Sequence, residues 1–253
     1  MKKYKTLVLI CSNDAPELLK ELIKNILAFN DDVGIIMNCD SPDDVFGLQT
    51  DDVHVIGRRA SFNHFDTMIP LHIEIKDYME KYGISSEYVL FLSTNQLFIK
   101  DNLYDFMKNY SAGFSDRKIT GNVGHMSHST FKRYFKELTS DSFIYQSNHD
   151  SMFFKYDIFM RMIDYFDDYR DKQINFHNEE YLYVAYLMKH VPKKELVKFK
   201  KYSYWQKNWG AYPTPPPIDE KELAQILKKS YYIIKRVNRN LDDPVREHIR
   251  KMK

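Results

Sequence analysis

The sequence predicts an α/β fold, a mostly parallel central sheet flanked by helices, in a single domain over residues 1–253. Two observations carry this. Apolar runs of strand length recur at Thr6–Cys11, Val33–Met37, Val53–Ile56 and Val89–Leu92. Between the first pair and between the last pair lie longer stretches with apolar residues at helical spacing, so strand, helix, strand, strand, helix, strand is the rhythm of a sheet built from crossover units.

The elements follow in order. Glu17–Phe29 places Leu18, Leu19, Leu22, Ile23, Ile26 and Leu27 on one helical face. A second helix pattern runs roughly from Ile69 to Tyr82 and leads into the Val89 strand. Thr120–Ser129 (TGNVGHMSHS) reads as loop, Ser151–Tyr156 as a strand, and Ile158–Tyr169 and Asn178–Lys189 as helices. WQKNWGAYPTPPPIDE breaks regular structure, because four prolines in five positions cannot donate to a ladder. The segment is either a lid or a rigid connection. Asp219–Lys229 is then helical, and Tyr231–Val237 reads as a closing strand.

Composition narrows the class. With 43% hydrophobic and 28% charged residues, 19 Tyr and 17 Phe, the chain has the apolar material for a packed core and is not of the disordered type. A formal charge of +2 gives no general argument for nucleic acid, and none is expected as a partner. Cys11 and Cys39 follow apolar runs and read as reduced core thiols. The apolar stretch near the N-terminus is too short for a signal sequence, and no run approaches about 18 apolar residues. A cytoplasmic protein is expected, with the inner membrane face as a peripheral location.

Four stretches concentrate polar groups at the ends of elements. After the second strand comes Asn38-Cys39-Asp40-Ser41-Pro42-Asp43-Asp44, where Asp40 could receive a ribose or base or the whole stretch could simply turn the chain. After the fourth comes Ser93-Thr94-Asn95-Gln96, with no side chain typical of a metal site. In HNEEYLYVAYL, Glu179 and Glu180 open a helix and point about 100° apart, so only one faces a given cleft. A glutamate there can act as a general base or merely favour the helix N-terminus.

The fourth stretch is KRVNRNLDDPVREHIRKMK. Its basic side chains could neutralise a diphosphate, line a solvated face, or touch an anionic membrane. The solvated face is the expectation for Arg246, Arg250, Lys251 and Lys253, whereas Lys235–Arg239 abuts a strand. Asp150 and Trp209 are candidates for gripping a sugar, since carboxylates bind hydroxyl pairs and aromatic faces stack on sugar rings. Trp205 reads rather as core. His125, His128 and His149 lack zinc spacing, and no glycine-rich phosphate loop or nucleophile elbow is present.

Taken in order, these stretches resemble the core-2/I-branching β-N-acetylglucosaminyltransferase family and its bacterial relatives. MNCDSPDDVF is similar to the family's second-strand segment, and HVIGRRASFNHFDTMIPLHIEI to the next strand, turn and helix. VLFLSTNQLFIKDN resembles the family's Leu-Cys-Gly-x-Asp-Phe-Pro-Ile-Lys-Thr-Asn, best at Ile99-Lys100 and Asn102. HDSMFFKYDIFMRMIDYF resembles its acceptor-side strand and helix, and NEEYLYVAYL its Pro-Asp-Glu motif. The resemblance spreads over residues 5–190, with a weaker continuation into YYIIKRVNRNLDDPVREHI. Asn178, Glu179 and Gln96 depart from the family's Pro, Asp and Asp.

The resemblance implies a GT-A fold and an inverting, metal-independent glycosyltransferase of hexosyl or N-acetylhexosaminyl type. It would move a sugar from a nucleotide-diphosphate donor, of the UDP-sugar type, to a glycan or lipid-linked glycan, with no resident cofactor. It carries the catalytic glutamate onto Glu180 and the donor site onto Asp40, Ser93, Thr94, Asn95, Lys235, Arg236 and Arg239, with Asp150, Glu179 and Trp209 on the acceptor side. Residues 1–110 would form the nucleotide-sugar half, 111–200 the acceptor half, and 201–253 would complete the donor site. Two other readings stand beside it: a noncatalytic module binding an anionic ligand or membrane surface through the basic C-terminal segment, and a metal-dependent enzyme using Asp40 or Asp43.

Overall fold

The computed structural model describes residues 2–12, 14–39, 42–57, 67–115, 117–119, 129–139, 144–147, 149–172, 174, 177–205 and 216–253. Along the chain run β1 (Lys2–Cys11), α1 (Pro16–Phe29), β2 (Val33–Cys39), α2 (Pro42–Val45), β3 (Val53–Gly57), α3 (Ile69–Tyr82) and β4 (Ile84–Leu92). Then come β5 (Gln96–Phe98), α4 (Leu103–Met107), β6 (Ala112–Phe114), β7 (Arg117–Ile119), α5 (Ser129–Leu138), β8 (Ile144–Gln146), β9 (Phe153–Lys155) and α6 (Tyr156–Tyr165). The chain continues with α7 (Glu179–His190), β10 (Leu196–Lys198), β11 (Ser203–Tyr204), α8 (Glu220–Ile226), β12 (Ile233–Lys235) and α9 (Pro244–Arg250).

The protein is α/β. Seven strands form the central sheet in the order β10-β6-β9-β4-β1-β2-β3, and only β9 runs against the others. Every residue of β2 is buried, as is β1 from Thr6 to Ile10, which is the pattern of strands covered on both faces. The chain moves outward from β1 to β2 and β3, then returns to β4 on the other side of β1. Rossmann-like sheets reverse in the same way, and the reversal opens a crevice at the carboxyl ends of the two inner strands.

Local chemistry explains the flanking helices. Pro16 starts α1, whose Leu18, Leu19, Leu22, Ile23, Ile26 and Phe29 are buried, whereas Leu27, expected on that face, is exposed. α3 ends at Gly83, whose φ of 62° is the left-handed conformation that glycine adopts without strain. Its start has no local cap, and the Met68 N–H is held from a distance by Glu179 Oε2 at 3.0 Å. Asp219 and Asp243 cap α8 and α9 through their side chains. At β6, Gly113 admits the ring of Phe153 from β9, where any Cβ would collide.

Among the described residues there are also two small sheets. β7 pairs with β8, and β11-β12-β5 forms a three-stranded sheet in which β12 runs antiparallel to β5, with Lys235 opposite Gln96. The strand expected at Tyr231–Val237 therefore exists over Ile233–Lys235 but extends this small sheet instead of the central one. Ser129, expected to be loop, begins α5, while residues 120–128 of that loop and 206–215 of the proline segment lie outside the described residues.

Candidate active site

The carboxyl ends of β1 and β4 meet at the reversal of the sheet, and polar groups collect there. Ser12 follows β1, and Asp14 accepts a hydrogen bond from Ser12 Oγ at 3.1 Å while its backbone N–H returns to Ser12 Oγ at 3.0 Å. Thr94, just past β4, donates its hydroxyl to Asp14 across the gap, and Arg239 Nε reaches the same carboxylate at 3.0 Å. Asp14 thus joins the first strand, the fourth strand and the basic segment. Asp14 was not among the residues singled out in the sequence, although its place just after an apolar run was the available signal.

The Ser93–Gln96 stretch folds into a tight polar turn. Gln96 Oε1 accepts from Ser93 N at 3.0 Å, and Ser93 Oγ donates to Asn95 Oδ1 at 2.8 Å. Gln96 itself is fully buried and donates to Ser151, which lies 3.1 Å from Ser203 Oγ. Thr94 is also buried, so the hydroxyl of this turn points at Asp14 and not into solvent.

β12 brings the basic segment to that turn. The N–H groups of Arg236 and Val237 both donate to Asn95 O, at 2.9 and 3.0 Å. Arg236 achieves this at φ 77°, a conformation unfavourable for any residue but glycine. Ser151 has φ 64°. Strained backbone of this kind persists where surrounding structure imposes it, and it gathers at functional sites.

Lys235 is buried and forms an ion pair with Asp150, also buried, while its Nζ lies 4.9 Å from the Trp205 ring centroid. Burial, with the charges of Arg239 and Arg236 behind it, drives the Lys235 ammonium well below its ordinary range. Two residues expected on opposite sides of the site, Lys235 for donor and Asp150 for acceptor, are therefore direct partners.

The adjacent glutamates diverge, as their helical spacing requires. Glu179 is fully buried, accepts from Thr67 Oγ1 at 2.8 Å and Met68 N at 3.0 Å, and so ties the start of α7 to the start of α3. His177 Nδ1 and His149 Nδ1 lie 3.4 and 3.7 Å from its other oxygen. Burial works to raise the Glu179 carboxyl, but the His177 hydrogen bond and the charges of His149 and His177 outweigh it and hold the group low. Such surroundings make Glu179 a tie between two helices.

Glu180 turns instead to Gln146, whose Nε2 donates to its carboxylate at 2.6 Å. Its carbonyl accepts the Ser147 N–H at 2.7 Å. Ser147, His149 and Asp150 thus link Glu180 with the Lys235 pair: Ser147 touches Glu180, His149 lies between Asp150 and Glu179, and Asp150 meets Lys235. Burial lowers His149 to about 4 and His72, stacked on Phe91, to about 3, so both rings are neutral at physiological pH.

One expectation is overturned by position. Arg246, read as part of a solvated face, is completely buried: it pairs with Glu21, donates to Asn238 O and reaches Thr94 O at 2.9 Å. It is a pin that fixes α9 and the residues after β12 against α1 and the end of β4. Arg250, Lys251 and Lys253 are exposed as expected. Asp43 lies exposed in the first turn of α2, in keeping with turn and helix-start chemistry. Asp40 and Trp209 lie outside the described residues.

Among the described residues, no group of three or more His, Cys, Asp or Glu side chains is placed to hold a metal ion, and no helix is long and apolar enough to cross a membrane. Among the described residues neither Cys11 nor Cys39 is in a disulfide, and Cys39 is buried. The structure is that of an α/β protein of Rossmann-like strand order, with the ion pairs Arg239–Asp14 and Lys235–Asp150 gathered near the sheet reversal. No protein-family model matches the chain, and no curated protein does.

Proposed function

We propose that the protein is an inverting glycosyltransferase of GT-A type, moving a sugar from a nucleotide-diphosphate donor, of the UDP-sugar class, to a hydroxyl of a glycan or lipid-linked glycan. The observation that carries this reading is the delivery of Lys235–Arg239 to the crevice between β1 and β4, where Arg236 N and Val237 N bind Asn95 O and Arg239 meets Asp14. Cations at the carboxyl ends of such strands suit a diphosphate. They supply the charge that a divalent ion would otherwise bring.

In this reading the acceptor hydroxyl attacks the anomeric carbon as the bond to the diphosphate breaks, and Glu180 takes the hydroxyl proton. Gln146 orients the Glu180 side chain through the hydrogen bond that its amide donates. The negative charge that accumulates on the departing diphosphate is met by the guanidinium groups of Arg236 and Arg239. Lys235, already paired with Asp150, holds the acceptor-side loop against that segment.

The test is thermal stabilisation and donor hydrolysis across UDP, GDP, CMP and dTDP sugars, each with and without EDTA. The expected result is stabilisation by one nucleotide class that survives EDTA, amounting to about 2.7 kcal/mol at a ligand concentration of roughly 100 times Kd. Loss of the effect on chelation would overturn the metal-independent mechanism. No response to any donor would overturn the function.

A further inference from the structure

An open groove of about 820 Å3 lies between the chain from Lys198 to Trp205 and α8. Half-buried Tyr204, Trp205 and Tyr231 line it, and exposed Lys198, Lys200, Lys221 and Lys229 stand around them. Two acids share the lining, and both have work elsewhere. Asp219 caps α8 through the Glu222 N–H at 2.7 Å, and Glu222 accepts the Tyr204 hydroxyl at 2.6 Å. Among the described residues of the lining, lysines outnumber acids four to two.

The groove is joined to the candidate active site at two places. Ser115, on its lining, donates its N–H to Ser147 Oγ at 2.8 Å, and the Ser147 N–H goes to Glu180 O at 2.7 Å. Trp205 carries Lys235 over its ring, and Lys235 pairs with Asp150. A chain lying in the groove would therefore run up to residues that contact both Glu180 and Asp150.

We propose that this groove binds a carbohydrate chain bearing carboxylate or phosphate groups, and that this chain is the acceptor. Its acceptor role rests on the glycosyltransferase reading; its binding does not. Aromatic rings offer flat apolar faces to the C–H faces of sugars, and lysines offer mobile point charges to anionic substituents. A neutral glycan would leave the lysines unused. Nucleic acid would call for a longer run of phosphate contacts than four lysines and two acids provide.

The experiment is calorimetric titration of the whole protein with a hyaluronan oligosaccharide, a glycerol-phosphate oligomer carrying sugar substituents, a malto-oligosaccharide of similar length, and oligothymidylate. The first two distinguish carboxylate from phosphate as the recognised anion. Tighter binding of either one than of the neutral sugar by at least about tenfold is expected, with a similar loss in Lys221→Glu/Lys229→Glu and in Tyr231→Ala, each checked for an unchanged melting temperature. Equal binding of the neutral sugar, binding of oligothymidylate as tight as the best glycan, indifference to the substitutions, or no binding at all would overturn the proposal. Donor response without groove binding would defeat the groove alone. Groove binding without donor response would remove its acceptor role and leave the binding site standing.

Discussion

Lys235 and Asp150 form a buried ion pair that fastens β12 to the loop before β9, with Trp205 over the lysine amine. Few arrangements are so dependent on both partners. Removing either charge strands the other in a poorly solvated site, whereas removing both leaves a gap that apolar side chains can fill. Lys235→Met and Asp150→Leu are each expected to cost about 3–5 kcal/mol in urea unfolding, and the double substitution clearly less than their sum. Single costs below about 1 kcal/mol would mean that water reaches the pair.

Arg246 and Arg250 share Glu21 but differ in burial. Arg246 is fully enclosed and has two further backbone acceptors, while the Arg250 side chain is 44% exposed. Arg246→Ala should therefore destabilise by about 3–5 kcal/mol and Arg250→Ala by less than about 1 kcal/mol. Chemical denaturation of the two variants side by side decides it. Similar losses would show that Arg246 is not the pin between α1, β4 and the C-terminal segment.

The two arginines also mark what a sequence can and cannot disclose. Periodicity placed Ile69–Tyr82 at its observed bounds and α1, β2 and β3 to within about two residues, because burial repeats at 2 or 3.6 residues along one element. Long-range pairing has no such signature. The stretch from Arg246 to Lys253 reads as a solvated face, yet Arg246 finds Glu21 more than two hundred residues earlier. Short strands such as β5, β6 and β10 gave no period to read. The strand-end polar stretches were visible as candidates, and the divergence of Glu179 from Glu180 followed from helix geometry. Asp14 and Ser151 were missed because their importance lies in partners brought by other strands.

Stability should fall as acid protonates the unfolded chain before the folded one. His149 and His72 are lowered by burial to about 4 and about 3 from an ordinary 6.5, so each contributes stability that is complete above pH 6.5 and lost as pH falls toward its folded value. Lys235, facing His149, lowers it further, and Glu179 opposes. Between pH 6.5 and 5 the slope should reach up to about 1.4 kcal/mol per pH unit for each histidine. Glu179, held below its ordinary 4.5, adds its own loss only at lower pH. Unfolding free energies at pH 7, 6 and 5 test this, and His149→Gln should flatten the slope. A flat wild-type profile would mean that both rings are solvated.

If the protein is the glycosyltransferase proposed above, Glu179 and Glu180 separate catalysis from structure within one helical turn. In Glu180→Gln the amide oxygen can still accept from Gln146, so the fold should hold, but the side chain can no longer take a proton. Transfer should fall by roughly 10²–10⁴ in kcat with donor binding and melting temperature nearly unchanged. Glu179→Ala instead leaves the buried Thr67 hydroxyl without its acceptor, at about 1–3 kcal/mol, and also frees the part-buried Met68 N–H. Its signature is a lowered melting temperature, and the neighbouring Glu180 would retain its chemistry in whatever fraction remains folded. Near wild-type transfer by Glu180→Gln would remove it as the base, and the cleft would then have to draw its proton acceptor from another residue at the β1–β4 crevice.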